Sequence, residues 1–156
     1  MRNKRPKTPP MVIIRDTREQ NGYDFACLSP KPQVKVATLT TGDYSLEGLE
    51  DQVTVERKSL ADAFGTIGGQ RERFIRELER MTAYQYAAVV IEADWPTIYN
   101  SPPRFSELHP KSVRGSIIAW NIRHKVMFWT MPDRFWAEKW TFYLLERFWK
   151  DYHDAA

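Results

Sequence analysis

A single cysteine, Cys27, in 156 residues excludes an internal disulfide and leaves too few sulfurs for a zinc knuckle. Three histidines, His109, His124 and His153, lie far apart, so no paired-histidine metal centre is present and all three read as surface residues. No apolar run approaches the ~20 residues needed to span a bilayer. The basic N-terminus leads into Pro9-Pro10 and a short strand, not into the apolar core of a secretory signal. These absences together point to an intracellular protein, cytoplasmic or nucleoid-associated, or in the host cytoplasm if the source is viral.

A large charge excess is lacking as well. The 23 Lys and Arg nearly balance the 20 Asp and Glu, for a net charge of +3. Arg2, Lys4, Arg5 and Lys7 fall within the first ten residues without an acidic partner, so the rest of the chain is close to neutral. Residues 1–10 read as a disordered basic tail, either a solvated end or a tether to an anionic polymer such as DNA. Residues 11–156 read as one domain, and six Trp, seven Tyr and eight Phe supply its core. A domain of this size buries roughly 70% of its unfolded surface.

Periodicity places strands at Val12 to Asp16, Val34 to Leu39, Asp43 to Leu46, Val53 to Lys58, Tyr86 to Ala93 and Val126 to Thr130. Ser59-Leu60-Ala61-Asp62 has the spacing of a capping box, so a helix is expected from about Leu60. Gly68-Gly69 ends it, and a second helix follows from Gln70 to Tyr84. Further helices are expected near Ile98, from Lys111 to His124, and from Asp133 to Tyr152. Strands separated by helices imply an α/β domain, a mixed central sheet flanked by helices.

The chemistry concentrates between Gly42 and Asp62. Val53-Thr54-Val55-Glu56-Arg57-Lys58 alternates like a strand, which puts Glu56 and Lys58 on one face and Arg57 on the other. Asp43 follows a glycine that permits a tight turn at a strand start. The carboxylates of Asp43 and Glu56 offer hard oxygen ligands suited to Mg²⁺ or Mn²⁺. Such an ion polarises a phosphodiester, and a neighbouring Lys58 stabilises developing negative charge or orients water. Arg57 is expected to brace a neighbouring carboxylate. Asp62, at the third position of a helix, is explained by capping and the helix dipole alone. Glu92, closing a buried strand, reads as a structural partner.

Gly42-Asp43-Tyr44, then Glu56-Arg57-Lys58, then Asp62 after three residues, resembles the signature of the XPF-type structure-specific DNA endonucleases. Ile13 to Glu19 is similar to that family's first strand and D-x-R-E element, Arg73-Phe74 to its next helix, and Val89 to Glu92 to a later core strand. The resemblance implies a restriction-endonuclease-like fold and a metal-dependent endonuclease acting on branched DNA: flaps, forks or single-strand/double-strand junctions. It implies catalytic roles for Asp16, Asp43, Glu56 and Lys58, with Asp43, Glu56 and Asp16 around the metal. Arg18, Glu19, Arg57, Asp62 and Arg73 would support them, and Arg18 and Arg73 would join the tail in contacting DNA. Where the family tends to have glutamine after that arginine, this chain has Glu77.

Two alternatives stay open at this point, a Holliday-junction resolvase of the same fold and a catalytically inactive DNA-binding or scaffolding subunit. Larger relatives add helix-hairpin-helix or helicase domains, for which a chain ending at Ala156 has no room. The terminal helix carries more aromatics than one core-facing stripe needs. A homodimer using this helix together with Trp120 is therefore expected, as the resembled family pairs through its nuclease domains.

Overall fold

Six strands form one sheet in the computed structural model, which describes residues 8–155. In chain order the strands are β1 (Val12–Asp16), β2 (Gln33–Ala37), β3 (Tyr44–Leu46), β4 (Val53–Lys58), β5 (Tyr86–Ile91) and β6 (Met127–Thr130). The helices are α1 (Leu60–Ile67), α2 (Arg71–Met81), α3 (Trp95–Asn100), α4 (Pro110–His124) and α5 (Arg134–Asp154). The strand order is β2-β1-β3-β4-β5-β6. Only β3 runs against its neighbours, while β1 and β2, β4 and β5, and β5 and β6 pair in parallel. The sheet is therefore mixed, with helices on both faces.

This topology gathers the chemistry at one edge. The carboxyl ends of β1, β4 and β5 and the start of the reversed β3 all lie on the same side of the sheet. Asp16 N–H donates to the Asp43 carbonyl at 2.8 Å, Asp43 N–H to the Val55 carbonyl at 3.0 Å, and Glu92 N–H to the Lys58 carbonyl at 2.8 Å. Residues distant in sequence are thereby fixed to one another through backbone, not through flexible side chains.

Side-chain alternation divides the core into two layers. On one face Ala87, Val89 and Ile91 of β5 pack with Phe64, Phe74, Leu78, Val113 and Trp120 from α1, α2 and α4. On the other, Val53, Val55 and Val90 pack with Tyr23, Phe25, Tyr44 and the α5 residues Ala137 and Leu145. The same parity sends Glu56 and Lys58 to the α2 face and Arg57 to the α5 face, as strand period two requires.

Helix ends follow their capping chemistry. The Ser59 side chain accepts from Asp62 N–H at 3.1 Å, and Asp94 and Asp133 cap α3 and α5 in the same way. His109 is a cap and not merely a surface residue, because its Nδ1 accepts from Lys111 N–H at 3.0 Å at the start of α4. β2 stops at Ala37, short of the expected Leu39, because Leu39 N–H turns inward to the Asp16 carboxylate. α2 stops at Met81, where the Thr82 hydroxyl takes the Glu79 carbonyl.

Trp120 corrects the interface expectation. It is 1% exposed and packs edge-on against Phe74, ring centroids 5.4 Å apart, with the Arg71 guanidinium 4.8 Å over its face. No second subunit can reach it. Of the α5 aromatics, Trp140, Phe142, Phe148 and Trp149 cover the core, while Phe135, Trp136, Tyr143 and Tyr152 remain exposed.

Candidate active site

Gly42 sets the position of Asp43. Its φ is +79°, and a Cβ built there would lie 1.9 Å from Thr54 Oγ1, so only glycine fits. Thr54 in turn donates to the Thr41 carbonyl at 2.9 Å, locking the turn against β4. Asp43 Oδ2 accepts from Arg57 N–H at 2.7 Å, which aims the carboxylate along the end of β4.

Asp43 and Glu56 line one hollow of about 210 Å³, together with Asp16, Thr41, Glu77 and the arginines 18, 73 and 80. Glu56, 8% exposed, accepts from Lys58 Nζ at 2.9 Å. The Lys58 ammonium also stands 4.7 Å over the Phe74 ring. Among the described residues, one oxygen of Asp43 and one of Glu56 have no hydrogen-bond partner.

The carboxylates repel each other. Burial, with Glu19 and Glu77 nearby, pushes Asp43 up to about 6 despite the bond from Arg57 N–H and the charge of Lys58. Burial and the charge of Asp43 push Glu56 well above the usual carboxylate range, and Lys58 only partly offsets them. Burial works against the Lys58 ammonium, but Glu56, Glu77 and Asp43 together hold it above its ordinary value. Lys58 is therefore held in its charged form, which suits an electrostatic donor and not a base.

Asp16 is committed elsewhere. Its carboxylate, 2% exposed, accepts from Arg18 N–H at 3.0 Å, Arg18 Nε at 2.7 Å, Arg18 Nη2 at 3.3 Å and Leu39 N–H at 2.7 Å. Burial alone would raise its pKa, and these bonds bring it below the usual range. Of the three carboxylates expected around a metal, Asp43 and Glu56 have an uncommitted oxygen and Asp16 has none. Among the described residues, no three of His, Cys, Asp and Glu group closely enough to hold an ion by themselves. Two carboxylates are nonetheless a donor set that fits Mg²⁺, which keeps several waters and takes its remaining oxygens from a phosphate. Thr41 Oγ1, buried and unpartnered among the described residues, adds a polar atom at the same hollow.

Behind the site lies an ion network. Arg57 grips Glu92 through two bonds of 3.0 and 2.8 Å and reaches Glu19 at 3.4 Å, while Tyr23 OH donates to Glu92 at 2.7 Å. Arg134, the first residue of α5, joins at 3.5 Å from Glu92 and lies 4.8 Å over the Tyr23 ring. Glu19 thus sits with Arg57 behind β4. Asp62 is exposed on α1, and among the described residues its carboxylate has no ion-pair partner, so it holds neither Arg57 nor Arg73. Arg2, Lys4, Arg5 and Lys7 lie outside the described residues. Glu77, noted in sequence as a departure from the family pattern, lines the hollow, and so does Arg80, which the sequence did not single out. Their spacing of four and seven residues from Arg73 is the helical signal that marks them.

Residues 15–143 match the model of the ERCC4 domain. None of the curated proteins matches the chain by sequence. Among solved structures the chain is similar to XPF from Aeropyrum pernix, with a TM-score of 0.60 and 22% identity over 78% of this chain and 57% of that one. It is similar also to XPF from Aeropyrum pernix in complex with DNA, with a TM-score of 0.66 and 20% identity over 92% of this chain and 66% of that one. This chain thus spans about two thirds or less of the length of those structures. The matched residues run from the end of β1 into α5 and include the Gly42-Asp43 turn, Glu56-Arg57-Lys58 and the hollow they line: the chain belongs to the ERCC4 domain family and has the fold of an XPF-type nuclease domain.

Proposed function

We infer that this protein is a divalent-metal-dependent endodeoxyribonuclease that cuts branched DNA at flaps, forks or single-strand/double-strand junctions. The observation that carries the reading is the pairing of two buried, mutually repelling carboxylates, Asp43 and Glu56, beside a charged Lys58 in a hollow rimmed by arginines. Mg²⁺ or Mn²⁺ held by Asp43 and Glu56 would supply Lewis acidity, polarising the phosphodiester and lowering the pKa of water. The protein's own groups do the rest. Lys58, fixed by Glu56 and by the Phe74 face, offers positive charge to the oxygens on which negative charge accumulates in the pentacoordinate transition state. Arg57 holds β4 in register with β5 through Glu92 and presents its N–H to Asp43. Asp16 locks Arg18 at the rim, where its guanidinium meets the DNA backbone, and Arg73 does the same from α2. An inactive scaffolding role is disfavoured because such a subunit has no use for two carboxylates held at raised pKa.

The preference for branched DNA, an intracellular setting in repair or recombination, and pairing with a second copy belong to the same reading. The exposed aromatics of α5, Phe135, Trp136, Tyr143 and Tyr152, support the homodimer. Among the described residues no helix is long and apolar enough to cross a membrane. The test is cleavage of labelled flap, fork, four-way junction and plain duplex with Mg²⁺. Preferential cutting of flaps or forks is expected. Preference for the four-way junction identifies a resolvase instead, and cutting of none of them overturns the reading.

A further inference from the structure

α2 carries four arginines with two different fates. Arg71 is spent on structure, since its guanidinium donates to Ser116 Oγ at 2.6 Å and covers Trp120. Arg73, Arg76 and Arg80 are exposed, and among the described residues none of them makes a hydrogen bond or an ion pair. Glu72, Glu77 and Glu79 stand three or four residues away on the same helix, at distances where pairs readily close. On α5 such pairs do close, Arg147 with Asp151 and Lys150 with Glu146. On α2, among the described residues, they stay open and leave the three guanidiniums unpaired. Phe74, Leu78 and Met81 face the core. At 100° per residue the three arginines fall within a 60° sector centred about 140° from that stripe, with Glu72 about 40° from Arg76 on one side and Glu77 about 40° from Arg73 on the other. Glu77 lies at the edge of the hollow, where its charge acts on Asp43 and Glu56.

Two hollows meet at this sector. Arg73 and Arg80 line the one that holds Asp43 and Glu56. Arg73 and Arg76 line a second, of about 530 Å³, that runs to the Gly68-Gly69 turn. We propose that Arg73, Arg76 and Arg80 form a track for the phosphate backbone of the DNA strand that is cut, leading from the Asp43–Glu56 hollow toward Gly68-Gly69. From Arg73 to Arg80 the helix rises about 10 Å, room for about three phosphates at 3.4 Å of axial rise per nucleotide of one strand. Phosphate contacts of this kind fix register and orientation without reading sequence. The proposal rests on the nuclease reading and deepens it, by naming how the strand is delivered.

The experiment is a salt titration of binding to a flap DNA, with Ca²⁺ in place of Mg²⁺ to suppress cutting. The proteins compared are wild type, Arg76→Gln/Arg80→Gln, Arg76→Lys/Arg80→Lys, and Arg147→Gln/Lys150→Gln on α5 as a charge-matched control, each checked for folding by circular dichroism. Loss of two phosphate contacts makes the slope of log K against log salt shallower by about 1.4–1.8, from 0.7–0.9 per contact. The lysine pair restores the slope, and the α5 control leaves it unchanged. A wild-type slope in the glutamine variant, or an equal loss in the control, overturns the track while leaving the nuclease reading intact. Wild-type protein that fails to bind flap DNA at low salt overturns both.

Discussion

Asp43 combines the proposed role of cation ligand with a charge that its burial makes unfavourable when no cation is there. Its pKa of about 6 lies above its ordinary 3.8. Between those values the folded protein keeps a proton that the unfolded chain has released. The stability this group contributes is therefore present below about pH 4 and lost as pH rises through about 6. Asp43→Asn removes that loss. In metal-free buffer at pH 7.5 the variant is expected to be more stable by up to about 3 kcal/mol, a rise of several degrees in Tm by differential scanning calorimetry, and the gain should vanish near pH 4. Glu56→Gln should act in the same direction. Lys58→Gln is expected to lower the cleavage rate by ~10²–10³ with the fold intact, the usual worth of one preorganised electrostatic group. Single-turnover rates at saturating protein check this, and a loss below tenfold would remove Lys58 from the chemistry.

At the scale of elements, the carboxylate depends on one turn and one strand. Gly42→Ala pushes a methyl group into Thr54 Oγ1 and forces a side chain into a positive φ. It is expected to cost ~2–4 kcal/mol in urea unfolding and to abolish cleavage. Gly42→Ala with Thr54→Ala should remain destabilised, because the strained φ persists once the clashing hydroxyl is gone. Much of this was legible in advance. Alternation along Val53 to Lys58 separated Glu56 and Lys58 from Arg57, and the capping pattern at Ser59 placed the start of α1. The partners of Arg57 were not legible, because Glu92 and Tyr23 join it through tertiary packing across 35 and 34 positions of sequence. The hydrogen bonds of Asp16 to Arg18 and to the distant Leu39 N–H were not legible either, because a carboxylate's tertiary partners cannot be counted in sequence. Trp120 looked available for a partner because its polar helical neighbours hid the Phe74 and Arg71 contacts that bury it.

For the molecule as a whole, assembly and delivery of DNA are separable from the chemistry. Light scattering at tens of micromolar is expected to give twice the chain mass, and Trp136→Asp/Tyr143→Asp to return it to the monomer. A monomeric wild type would leave the α5 aromatics without the partner assigned to them. Deleting residues 1–10 should make the salt slope of DNA binding shallower by up to about four contacts of about 0.9 each. Cleavage at saturating protein should stay near normal. The central claim is that Asp43 and Glu56 together hold a divalent cation that cuts DNA. It is tested most directly by following cleavage of one labelled flap DNA by wild type and Asp43→Asn across a Mg²⁺ titration, with EDTA as the zero point. Cutting by wild type that rises with Mg²⁺ and disappears in EDTA, with none by Asp43→Asn at any concentration, is the predicted result; cutting in EDTA, or near-wild-type turnover by Asp43→Asn, would contradict it.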